Sequence, residues 1–98
     1  MAEAYKPRNE REKLLMKALT SLKSVDEAAA FLRDMLTQAE IEEFANRLTI
    51  AKLLTKGLPY LKIAKQVGTS TTTVTRVAHW LYNGCGGYSS VLKKILKA

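Results

Sequence analysis

The sequence predicts an all-α fold of about six helices in a single domain, and three observations carry that prediction. Apolar residues recur at spacings of three and four along most of the chain. No segment of any length shows the strand signal, in which apolar and polar residues alternate. Helix start and stop signals are dense: Ser24 with Glu27 and Thr37 with Glu40 read as capping boxes, and Gly57 and Gly68 fall where apolar stripes end. At 98 residues, 47% hydrophobic and 26% charged, the composition is that of one globular domain and argues against general disorder.

Each element follows from local signals. The charged first dozen residues read as a mobile arm. Pro7 suits a first turn, and the stretch from Arg8 to Leu22 places Leu14, Leu15, Ala18, Leu19 and Leu22 on one helical face. Ser24 opens a short helix with Ala28, Phe31, Leu32 and Met35 inward. Thr37 opens a longer one, with Ile41, Phe44, Leu48, Ala51 and Leu54 on its apolar face until Gly57 stops it. Pro59 starts a helix carrying Leu61, Ile63, Ala64 and Val67, and Gly68 turns the chain. Thr69 or Ser70 caps the next helix, which runs to about Tyr82. Asn83-Gly84-Cys85-Gly86-Gly87 is a flexible break, after which Ser89 or Ser90 caps a last helix within residues 88–98.

Charge is strongly polarised. The last acidic residue is Glu43; the 55 residues after it carry nine Lys or Arg and no Asp or Glu. Residues 1–43 sum to −2 and residues 44–98 to +9, so the overall +7 understates the asymmetry. A surface of one sign recruits a partner of the other, and a long polyanion such as double-stranded DNA is the commonest such partner.

Inside that acid-free half, residues 59–83 carry a helix–turn–helix pattern. Ala64 is the small residue that lets a second helix cross the first, and Gly68, four residues later, tolerates the positive φ of the turn. Val74, Val77 and Leu81 form the stripe of the second helix that packs on Ile63 and Val67. An ordinary helical hairpin within a bundle would satisfy the same pattern. At about 100° per residue, the opposite face carries Thr71, Thr72, Thr75, Arg76 and His79. Thr69 and Ser70 lie at the amino-terminal turn, the part of a recognition helix that faces the bases.

This face offers one bidentate reader of guanine, Arg76, and no Asn or Gln for adenine. Threonines touch thymine methyls, donate to phosphates or hold waters, so readout would lean on water and DNA shape. Lys62 and Lys65, with Lys52, Lys56, Lys93, Lys94 and Lys97, suit phosphates.

From Met35 to Leu81 the sequence reads MLT-x-x-E, then Arg47, Ile50, Leu54, Gly57, Ile63 and Gly68, and finally Thr73-Val74-Thr75-Arg76. This pattern resembles the tryptophan repressor superfamily, and most closely its YerC/YecD-type branch of Trp-repressor-like proteins. The resemblance implies an intertwined all-helical homodimer. Residues 1–58 would supply the dimerisation core, residues 59–83 the helix–turn–helix and residues 88–98 the carboxy-terminal helix. A twofold dimer would set two recognition helices about one DNA turn apart on a roughly palindromic operator. The apolar faces of the first three helices suit such an interface and a monomer core equally.

In that family, tryptophan binds between the long central helix and the recognition helix, flanked by two arginines. By resemblance, Arg47 and Arg76 stand at those positions and Thr37 at the threonine near the amino-acid site. Two positions depart from the pattern. Val77 stands where the repressor has a glycine that leaves room for the ligand, and Trp80 where it has a serine that helps hold the ammonium group. Losing a hydrogen-bond partner for a buried charged group costs on the order of 1–3 kcal/mol. L-tryptophan is therefore not expected as corepressor. The Trp80 ring either fills the space of the absent indole or is simply core filler. Whether another small-molecule effector binds is open.

Other function classes lack their parts. The sequence holds one histidine, His79, and one cysteine, Cys85, six residues apart, with no carboxylate in the second half to orient the histidine. No enzyme activity, metal site or cofactor is expected. A single cysteine and a charged, non-apolar amino terminus fit a cytoplasmic protein, and no apolar run approaches the ~18–20 residues of a membrane span. The expected function is a sequence-specific DNA-binding regulator, a repressor by resemblance. The rivals are a non-specific or architectural nucleic-acid binder and a dimerisation adaptor. A polar, aromatic-poor recognition face argues against stacking on single strands.

Overall fold

A computed structural model of the protein describes residues 3–97. All regular secondary structure among those residues is helical: α1 (Glu10–Ser21), α2 (Val25–Met35), α3 (Gln38–Thr55), α4 (Tyr60–Val67), α5 (Thr71–Asn83) and α6 (Gly87–Ile95). None of these helices is long and apolar enough to cross a membrane.

The caps explain where the helices begin, and two of them differ from expectation. The first helix does not use Pro7. Its cap is Asn9, whose side chain accepts the Glu12 N–H at 2.9 Å. The Glu12 carboxylate in turn accepts from the Tyr5 hydroxyl at 2.6 Å and the Arg8 N–H at 3.0 Å. Residues 5–9 are thus tied back to α1 rather than forming a free arm; residues 1 and 2 of that expected arm lie outside the described residues. The same two hydrogen bonds, the Tyr5 one foremost, hold the Glu12 carboxyl below its ordinary value.

The predicted caps of α2, α3 and α5 are in place. Ser24 Oγ accepts the Glu27 N–H at 3.1 Å, and the Glu27 side chain reaches back one residue further, to the Lys23 N–H at 3.1 Å. At α3 the box closes on itself, with Thr37 Oγ1 accepting the Glu40 N–H at 3.1 Å and Glu40 accepting the Thr37 N–H at 2.9 Å. The last helix starts at Gly87, not after Ser89 or Ser90. Its cap is Gly86, in the left-handed region at φ 81°, with no hydrogen bond from a side chain. Residue 98 of the predicted 88–98 segment lies outside the described residues.

The described residues divide into two compact units, residues 5–42 and residues 43–97 together with residues 3 and 4. The first holds α1, α2 and the opening turn of α3. Neither α1 nor α2 has a buried residue. Leu14 is 68% exposed and Leu19 42%, while Leu15, Ala18, Leu22, Ala28, Phe31 and Leu32 are half-buried.

The second unit contains the core. Ile50, Ala51, Leu53 and Leu54 of α3 cluster with Ile63 and Ala64 of α4, Val74, Val77, Ala78 and Leu81 of α5, and Leu92 of α6. Ile50, Ile63 and Val74 are completely buried. Each such side chain contributes roughly 1.5–3 kcal/mol by leaving water. Leu48, Leu58, Val67 and Tyr88 pack around the edge. On α6 Leu92 is buried, whereas Val91, Ile95 and, just past the helix end, Leu96 are exposed.

Candidate nucleic-acid interface

The α4–α5 corner fixes which way α5 faces. α4 ends at Gly68 in the left-handed conformation (φ 81°, ψ 41°), which residues with a Cβ adopt at a cost. The Gly68 and Thr69 N–H groups both donate to the Ala64 carbonyl at 2.9 Å, closing the helix end. Two residues on, Ser70 Oγ accepts the Thr73 N–H at 3.1 Å and shares a second hydrogen bond with the Thr73 hydroxyl at 3.1 Å. Three residues, Gly68–Ser70, therefore join the two helices.

Burial of the Val74, Val77, Ala78 and Leu81 stripe turns the other face of α5 outward. Thr71, Thr72, Thr75, Arg76 and His79 are all exposed there. Thr75 donates its hydroxyl to the Thr71 carbonyl at 2.9 Å, which leaves its methyl and oxygen lone pairs for an external partner. The His79 ring meets the Trp80 ring edge-on at 5.3 Å. Ser70 is exposed and spent as a cap; Thr69 is half-buried. Lys62 and Lys65 are exposed on α4.

Electrostatically this surface is uncompensated. Among the described residues the ion pairs are Lys13–Glu10 and Arg47–Glu43. Arg76, Lys62 and Lys65 thus have no carboxylate partner among the described residues. In the low-dielectric setting of a macromolecular contact such cations gain most from an incoming anion.

The positions assigned by resemblance to a ligand site fare differently. Thr37 is engaged as the α3 cap. The Arg47 guanidinium donates to Glu43 Oε1 at 2.5 Å and lies 5.5 Å over the Phe44 ring. This ion pair goes beyond the sequence reading, although an i, i+4 Glu–Arg spacing on a helix signals it. Arg76 is exposed, Val77 is 4% exposed and belongs to the core, and Trp80 is 60% exposed. Of the two expectations for Trp80, the burial pattern answers one: the side chain does not fill the core of the protomer. Its place on α5, beside the buried stripe rather than in it, points the ring to solvent.

Comparison with known proteins decides what kind of fold presents this surface. The model of the Trp repressor protein family matches residues 10–96, nearly the whole chain. The chain belongs to the Trp repressor family. That family consists of DNA-binding regulators rather than enzymes. Among its relatives, the uncharacterised protein YerC of Bacillus subtilis is 36% identical over 81 residues, covering 83% of this chain and 78% of YerC. A TrpR-like protein from Eubacterium eligens superposes with a TM-score of 0.86 at 36% identity, covering 90% of this chain and 91% of that one. A candidate Trp repressor from Staphylococcus aureus gives 0.85 at 31% identity, covering 90% and 88% of the two chains. The Trp repressor fold thus accounts for the six helices and for the exposed face of α5.

Proposed function

We propose that this protein is a sequence-specific double-stranded DNA-binding regulator that acts as a homodimer, represses transcription and does not use L-tryptophan as corepressor. The observation that carries the reading is the outward face of α5. Arg76, His79, Thr71, Thr72 and Thr75 are exposed together in a half of the sequence with no acidic residue. The amino-terminal turn of α5, with Thr69 and Ser70, approaches the bases, Arg76 reads guanine, and Lys62 and Lys65 hold phosphates.

Support for a second copy comes from α1 and α2. They expose Leu14, Met16, Leu19, Val25 and Met35 and bury nothing. Helices with one apolar face must cover it, and a second copy of the same protein is the partner the family offers. Against a tryptophan corepressor stand three features. Val77 adds bulk beside Arg76, Trp80 supplies no acceptor for an ammonium group, and Glu43 already engages Arg47.

The test is selection of random genomic duplex fragments by the ligand-free protein at about 0.15 M salt, where sequence-independent attraction is largely screened. A palindromic motif with half-sites one helical turn apart is the expected result. Binding confined to low salt, with no motif, would replace this reading with a non-specific nucleic-acid binder.

A further inference from the structure

The break after α5 holds a reactive dipeptide. Asn83 is the last residue of α5, is exposed, and is followed by Gly84. An asparagine followed by glycine is the arrangement most prone to deamidation, because no side chain shields the next backbone nitrogen. The Gly84 nitrogen attacks the amide carbonyl carbon of the Asn83 side chain, forming a C–N bond and a five-membered imide. The bond from that carbon to the amide NH2 group breaks, and ammonia leaves. Water then opens the ring at either carbonyl, giving aspartate or isoaspartate.

Here the fold holds that nucleophile in check. The Gly84 N–H donates to the Trp80 carbonyl at 2.9 Å, the last hydrogen bond of α5, and Asn83 is still helical. Attack requires this bond to open and the last turn to unwind. The glycine cannot be exchanged to remove the hazard, because a Cβ on Gly84 would collide with that same carbonyl oxygen. The reactive pair is therefore built into the helix end.

The product would matter more here than elsewhere. Each turnover exchanges a neutral amide for what would be the sole Asp or Glu after Glu43. On α5, Asn83 lies on the line of Thr72, Arg76 and His79, opposite the buried stripe. It also lies at the carboxy-terminal end of the helix, where the dipole disfavours a negative charge. Isoaspartate adds a backbone carbon and abolishes the helical register at that turn.

We propose that Asn83 is a site of spontaneous deamidation, gated by the Gly84 N–H bond to Trp80, whose products weaken DNA binding. The consequence for DNA rests on the function proposed above; the chemistry does not.

The test ages the full-length protein at neutral pH, folded and in urea, with peptide mass analysis and an isoaspartate assay. Conversion at Asn83 in the folded protein, slower than in urea, with Asn9 and Asn46 unchanged and Asn83→Gln protected, is expected. The emission of Trp80, the only tryptophan, should shift in step. No conversion in the folded protein, against full conversion in urea, would overturn the site, and equal rates would overturn the gate. Separately, Asn83→Asp should bind a random-sequence duplex at low salt at least about fivefold more weakly than the wild type, through like-charge repulsion. Equal binding by the two proteins would overturn the consequence. No duplex binding by either would refute the DNA-binding reading instead, and the consequence with it, while the mass data still decide the chemistry.

Discussion

Trp80 and Gly84 lock the end of α5 together: the Gly84 N–H donates to the Trp80 carbonyl at 2.9 Å, and Cε3 of the Trp80 ring lies 3.3 Å from where a Gly84 Cβ would stand. Gly68 at the end of α4 offers a contrast. It has a positive φ of 81° and nothing within 4 Å of its Cβ position. Its substitution is a matter of backbone strain alone, whereas that of Gly84 is a matter of collision. Gly68→Ala should lower stability by about 1–2 kcal/mol. Gly84→Ala should cost more and should alter Trp80 emission, since the carbonyl it would strike belongs to the helix backbone. Denaturant unfolding followed by tryptophan fluorescence separates the two; equal costs would refute the distinction.

Capping side chains make most of the fold legible in the sequence. Ser24, Thr37 and Ser70 each precede an apolar stripe, and each caps a helix. Asn9 carries the same signal, with Glu12 three residues on, but Pro7 draws the helix start too early. Gly86 is illegible for a physical reason, since it caps α6 through backbone conformation with no hydrogen bond from a side chain. At the interface, periodicity puts Val77 on the buried stripe and Arg76 and His79 outside it, as the burial pattern has them. It does not assign Trp80. A large aromatic at the border of a stripe turns inward or outward according to neighbours that sequence spacing does not specify, and here it turns outward.

Thr37 should act through the α3 cap. Removing its hydroxyl in Thr37→Ala frees the Glu40 N–H and should cost about 1 kcal/mol. For a protein of this size that corresponds to a fall of about 4–8 °C in Tm. Thr37→Ser, which keeps the hydroxyl, should restore most of the loss. A full loss in the serine variant would mean that the methyl, not the cap, matters.

Two carboxylates give stability a predictable acid limb. Glu40, through the Thr37 N–H foremost and the Thr37 side chain next, and Glu12, through Tyr5 and then Arg8, are held below the ordinary value of 4.5. A depressed folded pKa means that the unfolded state takes up protons first. The contribution is therefore present above pH 4.5 and is lost as pH falls through the folded values. Glu40 is exposed and Glu12 only half-buried, so the effect is modest and weakened by salt. Thermal melts from pH 7 downward should show a Tm decline beginning near pH 4.5 that is shallower in the Glu12→Gln, Glu40→Gln double variant. An identical decline in the two proteins would place the acid sensitivity elsewhere.

L-Tryptophan should give no saturable heat on titration into the wild-type protein. The grounds are the buried bulk of Val77 and the prior engagement of Arg47 by Glu43. Binding in the micromolar range would show that a pocket is available despite Val77, and the corepressor would have to be reconsidered.

The cations of α4 and α5 should separate by the kind of contact each makes. Lys62 and Lys65 are exposed on α4, so as phosphate contacts they should weaken binding to all sequences alike when replaced by alanine. Each loss should also reduce the slope of log K against log salt by about one. Arg76, on the outward face of α5, is the one side chain there able to bond guanine through two hydrogen bonds. Arg76→Ala should cost about 1–3 kcal/mol on the selected duplex and far less on random sequence, relaxing discrimination at one base pair of each half-site. Gel-shift titrations at several salt concentrations, on selected and scrambled duplexes, measure both quantities at once. If Arg76→Ala lost affinity equally on both duplexes, Arg76 would be a phosphate contact, and specificity would rest on the threonines and on DNA shape.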